Sequence, residues 1–219
     1  MKYTLAQLES LMTKARLLGT LNQLNTKCGH SIYLLKDVLD GDAILYIPDD
    51  VETVIESEPI DDWWGVYPTY CNIICKTLIV LGGRNLKDAT RMFCRCIAQS
   101  IDLSNFDTSK VTNMSNMFYC CEAHSLDFST FDTSNVTDMS EMFKCCNRTL
   151  DLSSFDTSNV TNMNGMFFKC TAQSIDLSSF DTSKVTDMRE MFKECKAEVK
   201  ATDPNILYEL NRRKSLWNI

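Results

Sequence analysis

Ile101-Asp102-Leu103-Ser104-Asn105-Phe106-Asp107-Thr108-Ser109 is the first of four near copies. The others begin at Leu126, Leu150 and Ile175 and read Leu-Asp-Phe-Ser-Thr-Phe-Asp-Thr-Ser, Leu-Asp-Leu-Ser-Ser-Phe-Asp-Thr-Ser and Ile-Asp-Leu-Ser-Ser-Phe-Asp-Thr-Ser. Each runs on through Val-Thr-x-Met to Met-Phe-x-x-Cys, as in Val111-Thr112-Asn113-Met114 and Met117-Phe118-Tyr119-Cys120-Cys121. A unit of about 25 residues cannot bury its apolar face alone and does so against its neighbours. The expected fold class is therefore an α/β repeat solenoid, its coils stacked so that one face of each carries a parallel sheet.

Within a coil the alternation of Ile101, Asp102 and Leu103 predicts a short strand with its apolar residues inward and the aspartate outward. Phe106 turns inward, and Asp107-Thr108-Ser109 forms a polar corner whose side chains bond the local backbone. Val111, Met114, Met117 and Phe118 then fit a short strand leading to a helical turn, and their spacing fits a continuous 3₁₀ or α segment equally well. The Leu-Asp-Leu-Ser-x-Phe-Asp-Thr-Ser, Val-Thr-x-Met and Met-Phe-x-x-Cys motifs resemble the BspA-like leucine-rich repeats, more closely their mycoplasma-type surface-lipoprotein branch. The resemblance is strong from Ile101 to Cys195, fair from Leu78 and slight before that. It implies a right-handed leucine-rich solenoid and, for most members, a surface role in adhesion or binding.

Outward from the repeats, four regions are expected. Residues 1–42 form a helical N-terminal cap, with a helix from Thr4 to about Asn25 and a second over Ile32 to Leu39 ending at Gly41. Residues 43–76 are a degenerate first coil carrying an acidic loop, Asp49 to Asp62, with Cys71 in the coil's cysteine position. Residues 77–201 are the leucine-rich-repeat solenoid, and 202–219 a C-terminal capping helix opened by Asp203-Pro204 with Arg212, Arg213 and Lys214 in its last turn. An acidic cap, proline in the first turn and terminal bases suit the helix dipole.

The chain of 219 residues carries a net charge of −7. That excess lies in the repeats, where Ile97 to Cys195 holds 14 Asp and Glu against 7 Lys and Arg. Such a surface repels phosphates, so direct nucleic-acid binding is not expected, while a basic protein partner is. No run is apolar enough to span a bilayer and the first residues lack a signal core, so the expected location is cytoplasmic and no membrane association is expected. Eleven cysteines is an odd number in a compartment that keeps thiols reduced. Cys96, Cys121, Cys146, Cys170 and Cys195 recur once per coil as buried stacking positions. Zinc held through Cys94-x-Cys96 or the doublets Cys120-Cys121 and Cys145-Cys146 lacks the usual paired knuckles, so no metal and no cofactor is expected.

Stacked coils place equivalent residues roughly 4.8 Å apart. Asp102, Asp127, Asp151 and Asp176 should then form a column on the exposed sheet face, beside the variable residues Gln99, His124, Arg148 and Gln173. Carboxylates this close repel, and some should bind protons more readily unless serines, cations or a partner offset the charge. The bland reading is a solvated strand residue multiplied by duplication; the sharper one is a binding column. A second column, Asp107, Asp132, Asp156 and Asp181, reads as turn chemistry. Trp63-Trp64 either anchors the acidic loop or offers an exposed contact.

His30 and His124 lack a nucleophile partner and Gly82-Gly83 is a turn, so no enzyme is expected, nor a small-molecule ligand. The expected function is a non-enzymatic, intracellular protein-binding module using the acidic repeat face. Two alternatives stand beside it: a nucleic-acid-mimicking inhibitor of a DNA- or RNA-binding protein, encoded by a phage or mobile element, and a surface adhesin whose export signal is missing.

Overall fold

The computed structural model describes residues 5–18, 22–25, 31–35, 43–47 and 75–217. Trp63, Trp64, the acidic run from Asp49 to Asp62, Thr4, Gly41 and Cys71 lie outside the described residues. Helix α1 spans Leu5–Leu18, and strands β1 (Asn22–Asn25), β2 (Ser31–Leu35) and β3 (Ala43–Ile47) follow. Next come β4 (Thr77–Gly82), β5 (Ser100–Phe106), β6 (Ser125–Leu126), β7 (Ser174–Leu177), β8 (Glu198–Ala201) and helix α2 (Pro204–Trp217).

The N-terminal region is less helical than its periodicity suggests. Ser31-Ile32-Tyr33-Leu34-Leu35 is a strand, paired antiparallel with β1 on one side and β3 on the other. Isoleucine and tyrosine suit a pleated surface, and the edge of β3 gives their backbone the partners that a lone short helix would lack. From β3 onward the pairing is parallel: Ile44 faces Ile79, Ile79 faces Asp102, and Ile101 faces Leu126.

The sheet is not continuous. β1 to β6 form one six-stranded sheet and β7–β8 a second of two strands, joined to Leu150 by the single bridge Leu150↔Ile175. No ladder links Leu126 to Leu150 among the described residues. Most segments after the core cysteine carry a buried alanine: Ala98, Ala123, Ala172 and Ala197. Between Cys146 and Leu150 one residue is missing and Arg148 stands where the alanine would be, its buried Nε without a hydrogen-bond partner among the described residues. The Cys195–Val199 stretch is equally short, yet it keeps Ala197 and pairs as β8. Loss of the alanine, not shortening alone, accompanies the break.

The opposite side of the repeat is unbroken. Met114, Asn116, Phe118 and Cys120 donate their N–H groups to Asp138, Ser140, Met142 and Lys144 at 2.8–3.0 Å. Met139, Glu141, Phe143 and Cys145 do the same to Asn162, Asn164, Met166 and Phe168. The intervening residues close three-residue turns on themselves, for example Tyr119 N–H to the Asn116 carbonyl at 3.0 Å. The segment is thus neither an α nor a 3₁₀ helix. It alternates between bonds within a repeat and bonds to the next, with a left-handed residue at each return, such as Asn116 (φ 56), Cys120 (φ 50), Glu141 (φ 53) and Gly165 (φ 59).

Between the two sides lies a core of one residue type per column. Phe93, Phe118, Phe143, Phe167 and Phe192 stack ring on ring, with centroids 5.2–5.9 Å apart. Met117, Met142, Met166 and Met191 and the five core cysteines are buried beside them. At the far end Asp203 caps α2, accepting from the Ile206 N–H at 3.1 Å, and Ile206 enters the core.

Candidate functional site

The aspartate column is one file of a longer row: Ile44, Ile79, Asp102, Asp127, Asp151, Asp176 and Lys200. The strand register fixes Ile44–Ile79–Asp102 and Asp176–Lys200; Asp102–Asp127 and Asp151–Asp176 lie one residue beyond the pairs Ile101–Leu126 and Leu150–Ile175, and across the break Asp151 still feels the charge of Asp127. Ile44 and Ile79 are buried, so the face is covered over β3 and β4. From Asp102 onward it opens, and Asp127, Asp151 and Asp176 are exposed.

Each aspartate is held by the serine two residues on. Ser104, Ser129, Ser153 and Ser178 donate their N–H to the Oδ1 of Asp102, Asp127, Asp151 and Asp176 at 2.9–3.1 Å. The Ser104 and Ser153 hydroxyls also donate to Asp102 at 2.5 Å and to Asp151 at 2.7 Å. These bonds favour the charged form. The backbone and side chain of Ser129 hold the Asp127 carboxyl below the usual carboxylate range, and the hydroxyl and N–H of Ser153 do so for Asp151. Asp151 also feels Asp127 and Asp176, whose charges push the other way more weakly. For Asp176 the Lys200 ammonium, donating to Oδ2 at 2.8 Å, is the leading cause, with Ser178 behind it, and the carboxyl falls to about 2. For these three carboxyls the serines and Lys200 outweigh mutual repulsion.

The second oxygen separates the four. Oδ2 of Asp176 is taken by Lys200, whereas Oδ2 of Asp102, Asp127 and Asp151 has no hydrogen-bond partner among the described residues. Turn chemistry is also not confined to the corner column. Asp107, Asp132, Asp156 and Asp181 make the same contact with Ser109, Ser134, Ser158 and Ser183. A third column, Asp88, Asn113, Asp138, Asn162 and Asp187, makes it again with the residues two ahead.

The flanking variable residues do not form one set. Gln99, His124 and Gln173 are exposed, and His124 N–H donates to the Gln99 carbonyl at 2.8 Å. Arg148 departs from them: it is half-buried in the alanine position, with Nε inward, because the missing residue shifts it toward the core.

Two arrangements were not legible as sites. The buried hydroxyls of Thr108, Thr133 and Thr157 reach across to the next repeat, donating to the carbonyls of Asp132, Asp156 and Asp181 at 2.9–3.1 Å and accepting their N–H at 2.8–2.9 Å. A threonine in an Asp-Thr-Ser corner reads as local turn chemistry; only the stack reveals the crossing. The second is the outer thiol of each cysteine doublet, Cys120 and Cys145, which lie in register on adjacent repeats.

Residues 84–204 match the family described as "Mycoplasma protein of unknown function, DUF285". The chain belongs to that family. No curated protein and no solved structure matches it. The family segment begins just after β4 and reaches the first residue of α2, so it holds the whole aspartate column and its Lys200 terminus.

Proposed function

We propose that the chain is a non-enzymatic, cytoplasmic protein-binding module, built as a leucine-rich solenoid of the BspA-like kind, that takes a basic partner protein on its aspartate column. The observation that carries this reading is the charge state and free valence of the column. Asp127 and Asp151 are held ionised by their serines, and with Asp102 each keeps one oxygen unbonded. Neighbouring repeats stand roughly 4.8 Å apart, close to the roughly 5–6 Å between side chains three or four apart on a helix. A helix carrying a Lys or Arg stripe is therefore the best-matched ligand. Lys200 ends the stripe and favours one direction of docking, since a basic ligand is repelled beyond Asp176.

The test is an affinity pulldown with identification by mass spectrometry, followed by binding measurements on the purified partner. Wild type is compared with the triple variant Asp102→Asn, Asp127→Asn, Asp151→Asn. Asparagine keeps the oxygen that the serine needs, as Asn113 and Asn162 do in the third column, so the fold stands while the charge goes. The expected result is at least a tenfold loss of affinity, with wild-type binding falling as salt shortens the Debye length from about 10 to about 3 Å. Equal affinity for both proteins overturns the reading. Release of the partner by short DNA or RNA duplexes identifies it as a nucleic-acid-binding protein and turns the proposal into mimicry.

A further inference from the structure

Five residues form a file on the turn side: Arg95, Cys120, Cys145, Lys169 and Glu194. All five have left-handed backbone, with φ of 50–58°. Cys120 N–H donates to the Lys144 carbonyl at 2.9 Å, and Cys145 N–H to that of Phe168 at 2.8 Å. The core cysteines one residue on, Cys121 and Cys146, are buried, whereas Cys120 and Cys145 are half-exposed free thiols. In the other repeats this outer position is Arg95, Lys169 or Glu194. Cysteine occupies it twice, and the two occurrences fall on adjacent repeats.

We propose that Cys120 and Cys145 are a reactive dithiol that a hydroperoxide converts to a disulfide across two repeats. The Cα spacing of neighbouring strands, roughly 4.8 Å, lies within the roughly 4.4–6.8 Å that a disulfide spans. The two sulfurs are neighbours, and interaction with the Cys145 thiol is the main reason the Cys120 thiol is drawn down to about 6, with Tyr119, Arg95 and Lys144 adding to it. The same interaction, burial and the neighbouring thiolate push the Cys145 thiol up. The lowered thiol is the better nucleophile, so Cys120 is assigned the attack and Cys145 the resolving step, a division of labour suited to peroxide chemistry. The Cys120 thiolate attacks one peroxide oxygen, breaking the O–O bond and leaving a sulfenic acid and, after proton pickup, water. The Cys145 sulfur then attacks the sulfenic sulfur, a second water leaves, and two thiols plus one hydrogen peroxide become one disulfide and two waters.

The core column behaves differently. Cys96 and Cys121, like Cys170 and Cys195, are also neighbours, but all four are buried in the core with the phenylalanine and methionine columns, which shields them from a dissolved oxidant.

The reduced full chain is treated with one equivalent of hydrogen peroxide, quenched with N-ethylmaleimide and mapped by non-reducing peptide mass spectrometry. The expected product is a linked pair of peptides joining Cys120 to Cys145, absent after reduction and absent from Cys120→Ser and Cys145→Ser. In unoxidised protein, Cys120 alkylation should rise with a midpoint near pH 6, and Cys145→Ser should move that midpoint toward the ordinary thiol value of 9.0. Continued protection of Cys96 and Cys121 from alkylation reports that each variant is folded. A cross-link that survives in either serine variant overturns the proposal. So does wild type in which Cys120 is alkylated as before, or over-oxidised to the sulfinic acid without a link.

Discussion

The two sides of the repeat meet one shortened segment in opposite ways. On the strand side, a missing residue and Arg148 between Cys146 and Leu150 end the ladder, and the sheet resumes only as β7–β8. On the turn side, the bonds from Asn113 through Cys145 pass the same repeats without a gap, and the phenylalanine rings stay stacked at 5.8 and 5.9 Å with interplanar angles of 8° and 9°. Neighbouring repeats are thus joined by the turn side and the aromatic file, and the sheet is the tolerant partner. Tolerance is useful on the face that carries the aspartates, because side chains there can vary without threatening the stack.

The sharpest way to break this asymmetry is Phe143→Ala. The ring is fully buried at the centre of its column, so the loss should be about 3–5 kcal/mol, read as a lowered midpoint in denaturant unfolding. A loss below about 1 kcal/mol would move the weight to the sheet. A smaller effect of opposite sign is expected at the break itself. Arg148→Ala removes an unpartnered buried Nε and restores the residue found at Ala98, Ala123 and Ala172. It should raise stability by about 1 kcal/mol and slow amide exchange near Leu150. A fall in stability would show that the arginine stem is packed too well to lose. The smallest effect belongs to acid. Asp127, Asp151, Asp156, Asp176 and Asp181 all have carboxyls lowered in the folded protein, mainly by their serines or, for Asp176, by Lys200. Their contribution is full above the unfolded value of 3.8 and is lost as pH falls toward about 2. Melting curves at pH 7 and pH 3 should show a modest loss that Lys200→Met reduces, since Asp176 then has less to lose. A rise in stability on acidification would mean that repulsion along the column dominates after all.

The repeat register was readable because duplication wrote it four times: once Ile101, Leu126, Leu150 and Ile175 are aligned, the aspartate, phenylalanine and cysteine columns follow. Where the sequence departs from its own pattern, reading failed for definite reasons. Ile32 to Leu39 is apolar enough for either a helix or a strand, and the edge of β3 decides for a strand over Ser31–Leu35. The spacing Val111, Met114, Met117 mimics a helix because three-residue turns recur, while alternate N–H groups leave for the next repeat. Arg148 looks like one more variable surface residue until the missing neighbour is seen to pull it inward. The edge strand at Val199 and Ala201 is legible from its alternation, but that its Lys200 takes an oxygen of Asp176 and leaves those of the other three unbonded is visible only in the structure.

Asp203 has a further consequence. Thr108, Thr133 and Thr157 each give their hydroxyl proton to a backbone carbonyl of the repeat ahead, but Thr182 gives it to the Asp203 carboxylate at 2.6 Å. The same carboxylate then opens α2. One side chain thus counterfeits the next repeat and terminates the series. A chain cut before residue 203 would present a complete but unanswered docking surface, and the natural object to answer it would be the leading repeat of another copy. At this point of the series a carboxylate stands where a carbonyl would have invited growth.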